Sequence, residues 1–295
     1  MTHIKTVIIV NPASGGIAGT DKLNLIQTAA KKLKFSGKVL TTTKTKGADV
    51  LAKHEISRGA KRIIVCGGDG TILEALGVCI KANITLGVVP LGTGNLFARN
   101  LGIPLDITES LKIALGSKST QIDVGMANGT YFTIMAGMGI DARIMRDANP
   151  TLKRKMGLLA YILSAVKNLP RKRNDFEVSL DGSKPKVYTA KSILVANMDK
   201  IQGGIEVVPY ANPKSGSLKI GIIQAKSKLH FLNLLFNSLK GGIHKSPHYT
   251  LLTCRHGIIK VLHGKIPYQC DGDAFPASNI LKIEVFPKAL TVHIP

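Results

Sequence analysis

Apolar and polar residues alternate in blocks along the first 125 residues, and the blocks switch between strand-like and helix-like spacing. The runs with the length and β-branched content of strands are Ile4–Val10, Lys38–Thr42, Ile63–Cys66 and Leu86–Val89. Segments with helical spacing separate them, around residues 21–33, 48–58 and 72–80. Because strands that alternate with helices form βαβ units, we predict an α/β domain with a parallel sheet over residues 1–125.

The pattern changes after residue 125, where short β-rich runs follow one another. These runs are Tyr131–Ala136, Phe176–Leu180, Val187–Asn197, Ser217–Ile223, Ile258–Leu262 and Ile280–Val285. Closely spaced strands of this kind are typical of antiparallel sandwiches, so we predict a β-sandwich domain over residues 126–287. Helical spacing interrupts this domain at Leu152–Leu169 and at Leu229–Leu239, and we expect the second segment to pack on the core.

The composition is typical of a globular protein rather than a membrane-spanning or disulfide-rich one. The chain has 295 residues, 44% of them hydrophobic, which is enough to fill two modest cores. It contains no apolar run of the roughly 18 residues that a spanning helix needs. The cysteines show no metal-ligand spacing; they are Cys66, Cys79, Cys254 and Cys270. We therefore expect a cytoplasmic protein with buried, free thiols.

The formal net charge of +22 indicates an anionic partner. Specific nucleic-acid binding is disfavoured, because aromatic residues make up 5% of the chain and tryptophan is absent. An anionic membrane surface is the alternative, since the apolar segment Leu152–Leu169 lies between basic clusters. The candidate membrane contacts are Lys153, Arg154, Lys155, Arg171, Lys172 and Arg173. From the sequence alone, the segment could equally pack on the sandwich with its basic ends in solvent.

The chemistry of the first domain lies in three small polar loops, each placed after a predicted strand. The most informative loop, Gly67-Gly68-Asp69-Gly70-Thr71, joins a strand to a helix. Glycines let the backbone approach a polyphosphate, amides at a helix N-terminus attract it, and a carboxylate together with phosphate oxygens binds Mg²⁺. The other loops are Asn11–Gly16 and Pro90–Asn95. Because the carboxyl ends of parallel strands meet at one edge of a sheet, we expect the loops to converge on one phosphate site.

A late segment, Gln269-Cys270-Asp271-Gly272-Asp273, is ambiguous by itself. An Asp-Gly pair between apolar runs usually marks a hairpin turn, so spacing alone favours a turn over a catalytic aspartate. A catalytic reading needs support from outside this segment.

That support comes from a resemblance. The motifs NPASGG, GGDGTILEAL and PLGTGNLFARNLGIP resemble, in order and spacing, those of the diacylglycerol kinase catalytic-domain family, and later DVG and DGD motifs extend the match over nearly the whole chain. The resemblance implies an ATP-dependent lipid kinase that transfers the γ-phosphate of Mg-ATP to a lipid hydroxyl. It also implies a first domain like that of NAD kinases and phosphofructokinases, a sandwich domain, an active site in the cleft between them, and a return of residues 288–295 to the first domain.

The same resemblance implies roles for particular residues. Asp271 matches the family's general base, and Asp273 stands where relatives commonly have glutamate. Asp69 is the expected ligand of the magnesium ion that accompanies ATP. The residues that match nucleotide contacts are Asn11, Ser14, Gly15, Thr43, Gly67, Gly68, Asp69, Gly70, Thr71, Glu74, Thr93 and Asn95. Leu96 and the neutral Ser215 replace carboxylates that support a structural magnesium ion in many relatives, which argues against that second site here.

Other functions stay open at this point. NAD kinases share GGDGT, but they carry an Asn-Glu pair after a later strand, where this chain has Asn197-Met198-Asp199. A basic membrane-binding protein on a degenerate kinase fold is the non-enzymatic alternative. Among lipid acceptors, diacylglycerol leads over sphingoid bases, ceramide and phosphatidylglycerol. We expect a cytoplasmic enzyme associated peripherally with an anionic membrane, and a homodimer is an expectation from the family alone.

Overall fold

The structure, a computed structural model, describes residues 5–15, 19–139, 142, 173–201 and 206–295. The chain divides into two compact units, the first formed by Met1–Ile122 with Lys288–Pro295 and the second by Asp123–Pro287. Within the described ranges, no helix is long and apolar enough to cross a membrane.

The first unit alternates strands with helices. Its elements are β1 (Thr6–Val10), α1 (Gly19–Lys32), β2 (Lys38–Thr41), α2 (Ala48–Ser57), β3 (Arg62–Gly67), α3 (Asp69–Ala82), β4 (Thr85–Pro90), α4 (Leu96–Asn100) and α5 (Ile107–Leu115). The strands are parallel in the order β2-β1-β3-β4, and the end of the last strand of the chain joins β4 through Val292 and Leu86. The predicted α/β architecture is therefore confirmed.

Strand β3 and helix α3 show how the sequence places the glycine motif. Every residue of β3 is buried, as expected for a central parallel strand. Helix α3 begins at Asp69, earlier than the predicted start, because Gly68 in extended backbone serves as its N-cap. It ends at Ala82 and is followed by Asn83, which adopts the left-handed conformation that closes many helices. The motif is thus both the end of a buried strand and the first turn of a helix.

The second unit consists mainly of antiparallel strands. Its elements are β5 (Ser119–Ala127, which begins in the first unit), β6 (Thr130–Phe132), β7 (Met135–Gly139), β8 (Asn174–Leu180), β9 (Lys186–Ala190), β10 (Ser192–Ala196), β11 (Leu218–Ile223), α6 (Lys228–Leu239), a 3₁₀ turn (Ile243–Lys245), β12 (Tyr249–Cys254), β13 (His256–Val261), β14 (Ile266–Cys270), β15 (Asp273–Ser278) and β16 (Ile280–His293). One sheet has the order β12-β11-β10-β7-β14-β15, and the other contains β16-β13-β8-β9. The single strand predicted over 187–197 is two strands, β9 and β10.

An apolar core lies between these two sheets. Phe176 and Leu281 from one sheet and Met138 and Ile220 from the other are fully buried in one cluster. Complete burial of such a side chain contributes about 1.5–3 kcal/mol. The predicted antiparallel β-sandwich is confirmed.

Helix α6 differs from its prediction. Leu234 is buried in a second cluster of this unit. In contrast, Leu229, Leu232, Phe236 and Leu239 are exposed, with between 49% and 76% of each residue's surface accessible. The expectation that this segment serves the core was therefore wrong for four of its seven apolar residues, because the helix has apolar side chains on two faces and, among the described residues, only one face packs against the second cluster.

Candidate functional site

The loops that follow β1, β3 and β4 are joined to one another at the carboxyl edge of the first unit's sheet. The backbone N–H of Asn11 donates to the carbonyl of Cys66 over 2.8 Å, and the N–H of Leu91 donates to the carbonyl of Gly67 over 2.9 Å. The parallel ladders therefore continue into the loops. Each loop is held in register with its neighbour.

Side chains of the first loop clamp the glycine motif. The Nδ2 of Asn11 donates to Oγ1 of Thr71 over 2.8 Å, and its Oδ1 accepts from the N–H of Ala13 over 3.0 Å. The N–H of Gly68 donates to Oγ of Ser14 over 3.2 Å. The structure thus brings together Asn11, Ser14, Gly68 and Thr71, all expected to contact the nucleotide. Their mutual hydrogen bonds fix the spacing of the loops.

Glycine is required where the loops touch. A Cβ added to Gly92 would lie 2.7 Å from Cα of Gly68, closer than real Cβ contacts allow. A Cβ on Gly67 would lie 2.6 Å from Cβ of Thr71. Gly15 has a φ of +69°, and its Cβ would lie 2.4 Å from the carbonyl oxygen of Leu91. Backbone therefore packs directly on backbone around the predicted phosphate site.

Asp69 links the glycine motif to the third loop. Its Oδ1 accepts a hydrogen bond of 2.9 Å from the N–H of Phe97, in the first turn of α4. Its Oδ2 lies 3.3 Å from the position of a Cβ on Gly94. One carboxylate oxygen is thus used to anchor a helix, and the second lies beside the glycines of the third loop. A single carboxylate of this kind suits a magnesium ion whose other ligands are phosphate oxygens and water.

The third loop contains one exposed and one buried candidate. Thr93 is exposed. Asn95 is buried in the left-handed conformation, and its side chain exchanges two hydrogen bonds with the backbone of Gly92, at 2.8 and 2.9 Å. Asn95 therefore shapes the loop, whereas Thr93 is free to meet a ligand in solvent.

The remaining nucleotide candidates of this unit lie in a turn and on α3. Thr43 accepts a hydrogen bond of 3.1 Å at Oγ1 from the N–H of Lys46. Glu74 accepts at Oε2 from the N–H of Ala48 over 2.9 Å, which anchors the first turn of α2. Gly70 is exposed, and a Cβ there would meet no atom within 4 Å. The visible contact of Glu74 is structural.

Sequence reasoning missed Lys22. This lysine lies on the buried side of α1 with only 2% of its surface exposed, and its Nζ has no hydrogen-bond partner among the described residues. Nζ lies 3.4 Å from the position of a Cβ on Gly15, in the first loop. The available signal was the position of Lys22 at helical spacing from the buried Ile26 and Ala29.

In the second unit, Asp271 opens the turn between β14 and β15. Asp271 and Gly272 have φ values of 46° and 91°, and Cys270 pairs with Asp273 across the ladder. Positive φ at both central residues is the two-residue turn that an Asp-Gly pair favours. The hairpin reading of the sequence is correct, and it does not exclude a catalytic role.

Four donors surround the carboxylate of Asp271. Its Oδ2 accepts from the N–H and the Oγ1 of Thr133, at 2.6 and 2.8 Å. Its Oδ1 accepts from the N–H groups of Ile134 and Met135, each at 2.9 Å. Desolvation raises the pKa of this carboxyl, against the opposing effect of these hydrogen bonds. The carboxylate is therefore fixed in orientation and is a stronger base than an ordinary aspartate.

The donors to Asp271 carry no signature in the sequence. Three of them are backbone amides, which any residue supplies, and Thr133 is an unremarkable residue between two strands. Asp273, the other catalytic candidate, is exposed at the start of β15. Of the two candidates, Asp271 is the one whose carboxylate orientation is fixed by hydrogen bonds within the second unit.

Ser215 lies in a turn close to Asp123. Its Oγ donates to the carbonyl of Ser217 over 3.0 Å, and Oδ2 of Asp123 accepts from the N–H of Gly216 over 2.6 Å. Across the described ranges, no three His, Cys, Asp or Glu residues form a group able to hold a metal ion. Among the described contacts, Ser215 thus contributes to a turn.

Most of the candidate membrane contacts lie outside the described residues; they are Lys153, Arg154, Lys155, Arg171 and Lys172. Arg173 is described and directly precedes β8. Burial lowers the pKa of Lys191, and the nearby charge of Arg173 adds to that effect. Arg173 is therefore close to a second cation of the same unit.

Two family models cover the chain almost from end to end. The diacylglycerol kinase catalytic domain matches residues 5–127. The YegS C-terminal NAD kinase beta sandwich-like domain matches residues 134–294, more than half of the chain. This chain belongs to the diacylglycerol kinase catalytic-domain family. The family predicted from the motifs is confirmed, and with it the class of enzyme, a lipid kinase.

Curated relatives of this family match over most of their own length. A diacylglycerol kinase of Bacillus subtilis (strain 168) is 29% identical over 272 residues, which are 90% of this chain and 88% of the relative. A lipid kinase of the YegS-like type from Pectobacterium atrosepticum is 27% identical over 299 residues, 98% of this chain and 96% of the relative. The similarity therefore extends through both units.

Solved structures show the same fold. A diacylglycerol kinase from Bacillus anthracis superposes with a TM-score of 0.82 at 23% identity, over 100% of this chain and 98% of that one. An NAD kinase from Archaeoglobus fulgidus gives a TM-score of 0.52 at 14% identity, over 98% and 93%. At these identities the similarity concerns the fold alone. The predicted relation to the NAD kinase fold is confirmed at that level.

Proposed function

We propose that this member of the diacylglycerol kinase family transfers the γ-phosphate of Mg-ATP to the hydroxyl of a lipid, with diacylglycerol as the leading acceptor. The observation that carries the proposal is the joining of three polar loops at one edge of the first unit's sheet. Their glycines leave backbone exposed where a polyphosphate needs close approach, and α3 directs its N-terminus to the same place. The names of the relatives favour diacylglycerol over other lipid alcohols.

The first unit supplies nucleotide binding in this proposal. Asn11, Ser14 and Thr71 set the spacing of the loops through the hydrogen bonds described above. Asp69 offers Oδ2 to the magnesium ion that travels with ATP, while its Oδ1 keeps the third loop in place. The ion neutralises charge on the transferring phosphoryl group when it is bound.

The second unit supplies the base. The carboxylate of Asp271 accepts the proton of the lipid hydroxyl, whose oxygen then forms a bond to the γ-phosphorus as the bond between that phosphorus and the β-γ bridging oxygen breaks. ADP leaves with the electron pair of the broken bond. A raised pKa favours this step, because a carboxylate that binds its proton more tightly is the better acceptor. The donors Thr133, Ile134 and Met135 keep the carboxylate in one orientation.

NAD phosphorylation is the weaker alternative. The position where an NAD kinase carries its Asn-Glu pair has Asn197, followed by Met198 and Asp199. Asn197 is fully buried, and its Nδ2 donates to the carbonyls of Asp123 and Thr133, at 2.9 and 3.0 Å. Because this amide holds two segments of the second unit together, it is a poor candidate for binding a nicotinamide ribose.

The partner and the location follow from the same proposal. A lipid acceptor resides in a bilayer, so the enzyme acts at a membrane surface and associates with it peripherally. The net charge of +22 favours an anionic surface. We propose the cytoplasmic face of such a membrane as its place of action.

The test is transfer of labelled γ-phosphate from Mg-ATP to a panel in mixed micelles that contains diacylglycerol, a sphingoid base, ceramide and phosphatidylglycerol, with NAD as a separate acceptor. We expect labelled phosphatidic acid. Labelled NADP would overturn the lipid assignment. A chain that binds Mg-ATP but labels no acceptor would favour a non-catalytic lipid-binding relative.

A further inference from the structure

A buried ammonium without a partner lies beside the first loop. Lys22 exposes 2% of its surface, and its Nζ makes no hydrogen bond to any described residue. Isolated buried charges are rare, because the loss of hydration is compensated only by a partner of opposite charge. The native partner of Lys22 is therefore expected to be a ligand.

The position of Nζ identifies the class of that ligand. Nζ lies 3.4 Å from the Cβ position of Gly15, and the same position lies 2.4 Å from the carbonyl oxygen of Leu91. Lys22 thus reaches the junction of the first and third loops from the helix that follows the first loop. The neighbouring backbone is glycine-rich and carries the N-terminus of α3, which favours an anion.

We infer that Lys22 binds a phosphate group of the nucleoside triphosphate. The inference rests on the proposed function for the identity of the nucleotide, and on the buried ammonium for the phosphate contact itself. Lysine is a suitable residue because it presents a point charge on a long apolar stem, which α1 buries beside Ile26. Without nucleotide the charge is a cost to folding, and with nucleotide it is compensated.

This arrangement predicts opposite effects of Lys22→Met on stability and on binding. The variant keeps an unbranched side chain of similar length and removes the charge, so we expect the unliganded protein to melt at the same or a higher temperature. Mg-ATP affinity should fall about 10- to 100-fold, the usual effect of losing a hydrogen bond to a charged group. Lys31→Met is the matched control, since Lys31 is exposed on the same helix.

The measurements are melting curves without ligand and titrations with Mg-ATP, ADP, AMP and inorganic tripolyphosphate. Loss of affinity for ATP and tripolyphosphate, with normal melting, supports the inference. Unchanged affinity in Lys22→Met, or a large loss of stability without ligand, would overturn it. The wild-type protein could bind tripolyphosphate through Lys22 and yet phosphorylate no lipid. That result would support the phosphate contact and contradict the proposed function.

A second observation concerns the exposed face of α6 and is independent of the nucleotide loops. Leu229, Leu232, Phe236 and Leu239 recur at helical spacing and form one line of exposed side chains, here named the α6 stripe. The opposite face of the helix is held in place, with Leu234 buried and the Oγ of Ser238 donating to a backbone carbonyl. The stripe is thus presented outward by a helix that cannot rotate to bury it.

The charges around the stripe indicate what it contacts. The sequence contains no Asp or Glu between Glu206 and Asp271, while lysines flank the helix on both sides. Nζ of Lys240 lies 4.2 Å from the centroid of the Phe236 ring. The apolar side chains of the stripe are complementary to acyl chains. The cations at its margins, with no carboxylate in the segment, are complementary to anionic headgroups.

We propose that the α6 stripe docks the second unit on an anionic phospholipid bilayer. Sedimentation with vesicles of phosphatidylglycerol and phosphatidylcholine, without ATP, tests it separately from catalysis. Leu229→Gln combined with Phe236→Gln should lower the partition coefficient about tenfold or more, because two apolar side chains no longer enter the interface. Binding of the wild type should also weaken as salt is raised.

The matched control is Val187→Gln with Ile258→Gln, since these residues are similarly exposed, at 58% and 46%, on strands of the same unit. Equal vesicle binding by both double variants would overturn the proposal. A wild-type dimer in solution that the α6 variant converts to a monomer, with no change in vesicle binding, would instead assign the stripe to a second copy of the chain. If the wild type phosphorylates no lipid, the proposed kinase function fails, while vesicle binding still decides the role of the stripe.

Discussion

Asp271 and Asp181 each begin an Asp-Gly turn in the second unit, with φ values of 46° and 50°, yet their carboxyl groups are perturbed in opposite directions. Desolvation raises the pKa of Asp271 in spite of its four hydrogen bonds. Desolvation also acts on Asp181, but hydrogen bonds from the N–H groups of His256 and Arg255 outweigh it and lower the pKa. The same dipeptide therefore gives a carboxyl of raised pKa in one place and one of lowered pKa in the other.

This contrast gives a matched pair of substitutions. Asp271→Asn should reduce turnover about 10²- to 10⁴-fold, the usual effect of losing a general base. Asp181→Asn should leave turnover unchanged, because the amide oxygen can still accept from Arg255 and His256. The measurement is initial rate of lipid phosphorylation, with Mg-ATP binding followed in parallel.

The amide of Asp271→Asn would face the donors of Thr133, so a loss of about 1–3 kcal/mol in the free energy of unfolding is also expected. Rates should therefore be measured well below the melting temperature. An Asp271→Asn protein that is folded, binds Mg-ATP and turns over normally would remove Asp271 from the base role.

The pH dependence of kcat/KM should report the same carboxyl. Asp271 accepts a proton only when ionised, so the rate falls as the pH drops through its pKa. Because that pKa is raised, the acidic limb of the profile lies at higher pH than an ordinary aspartate with its value of 3.8 would give. A pH-rate profile in a constant-ionic-strength buffer measures the position of the limb.

Thr133→Val should shift the acidic limb of the pH-rate profile to still higher pH. The substitution removes the Oγ1 donor, 2.8 Å from Oδ2, which favours the ionised form. The rate above the limb should be largely kept, since the carboxylate remains. Thr189→Val is the control, because Thr189 donates over 2.6 Å to Asp175, a half-buried aspartate of the same unit that has no proposed catalytic role. Identical profiles for the two variants would count against Asp271 as the titrating base.

Asp69→Ala separates metal binding from helix anchoring. The alanine removes the acceptor of a 2.9 Å hydrogen bond from the N–H of Phe97. The control is Asp106→Ala, which removes the acceptor of a 2.9 Å hydrogen bond from the N–H of Glu109 at the start of α5. Both variants should lose about 0.5–2 kcal/mol of stability. Only Asp69→Ala should lose magnesium-dependent ATP binding and turnover, as measured by calorimetry with and without Mg²⁺. Similar nucleotide affinity in both variants would show that Asp69 serves the fold alone.

The features that could be predicted from the sequence are those that depend on hydrophobic periodicity and on the order of the motifs. Alternating apolar runs were sufficient for the α/β unit and the sandwich, because burial on one or two faces leaves a regular pattern. The two Asp-Gly pairs of the second unit, at Asp181 and Asp271, look alike in the sequence, since the balance between desolvation and hydrogen bonds that distinguishes their carboxyl groups depends on residues distant along the chain. Their difference becomes visible only when the chain is folded.

Lys22 and α6 are two features whose contacts could not be predicted from the sequence. A single lysine at an apolar position of α1 resembles an ordinary surface lysine with a buried stem, and its lack of a partner is a property of three-dimensional neighbours. The spacing of α6 revealed apolar residues on the helix, but not which of its faces has a sheet to pack against. In both cases the sequence showed the helical spacing of the apolar positions. It did not show what the side chains contact in the folded chain.

The reactivity of the thiols measures how tightly the interior of each unit is packed. All four cysteines are free and buried, and burial raises the pKa of Cys79 and of Cys254 to about 12, with the charge of Asp181 adding to the effect at Cys254. The thiolates of Cys79 and Cys254 are therefore scarce at neutral pH. We expect Ellman's reagent to label the native protein very slowly and the unfolded protein rapidly. Fast labelling of the native chain would contradict this packing.

Gly92→Ala should damage the nucleotide site without greatly disturbing the core. The new Cβ would lie 2.7 Å from Cα of Gly68, so the third loop must move away from the glycine motif. Gly87→Ala is the control, because its Cβ would crowd Ala114 at 2.8 Å within the core of the same unit. We expect Gly92→Ala to raise the KM for ATP and Gly87→Ala to lower the melting temperature with an unchanged KM. Steady-state kinetics and melting curves of both variants distinguish the effects, and an unchanged KM in Gly92→Ala would mean that the contact between the loops does not shape the site.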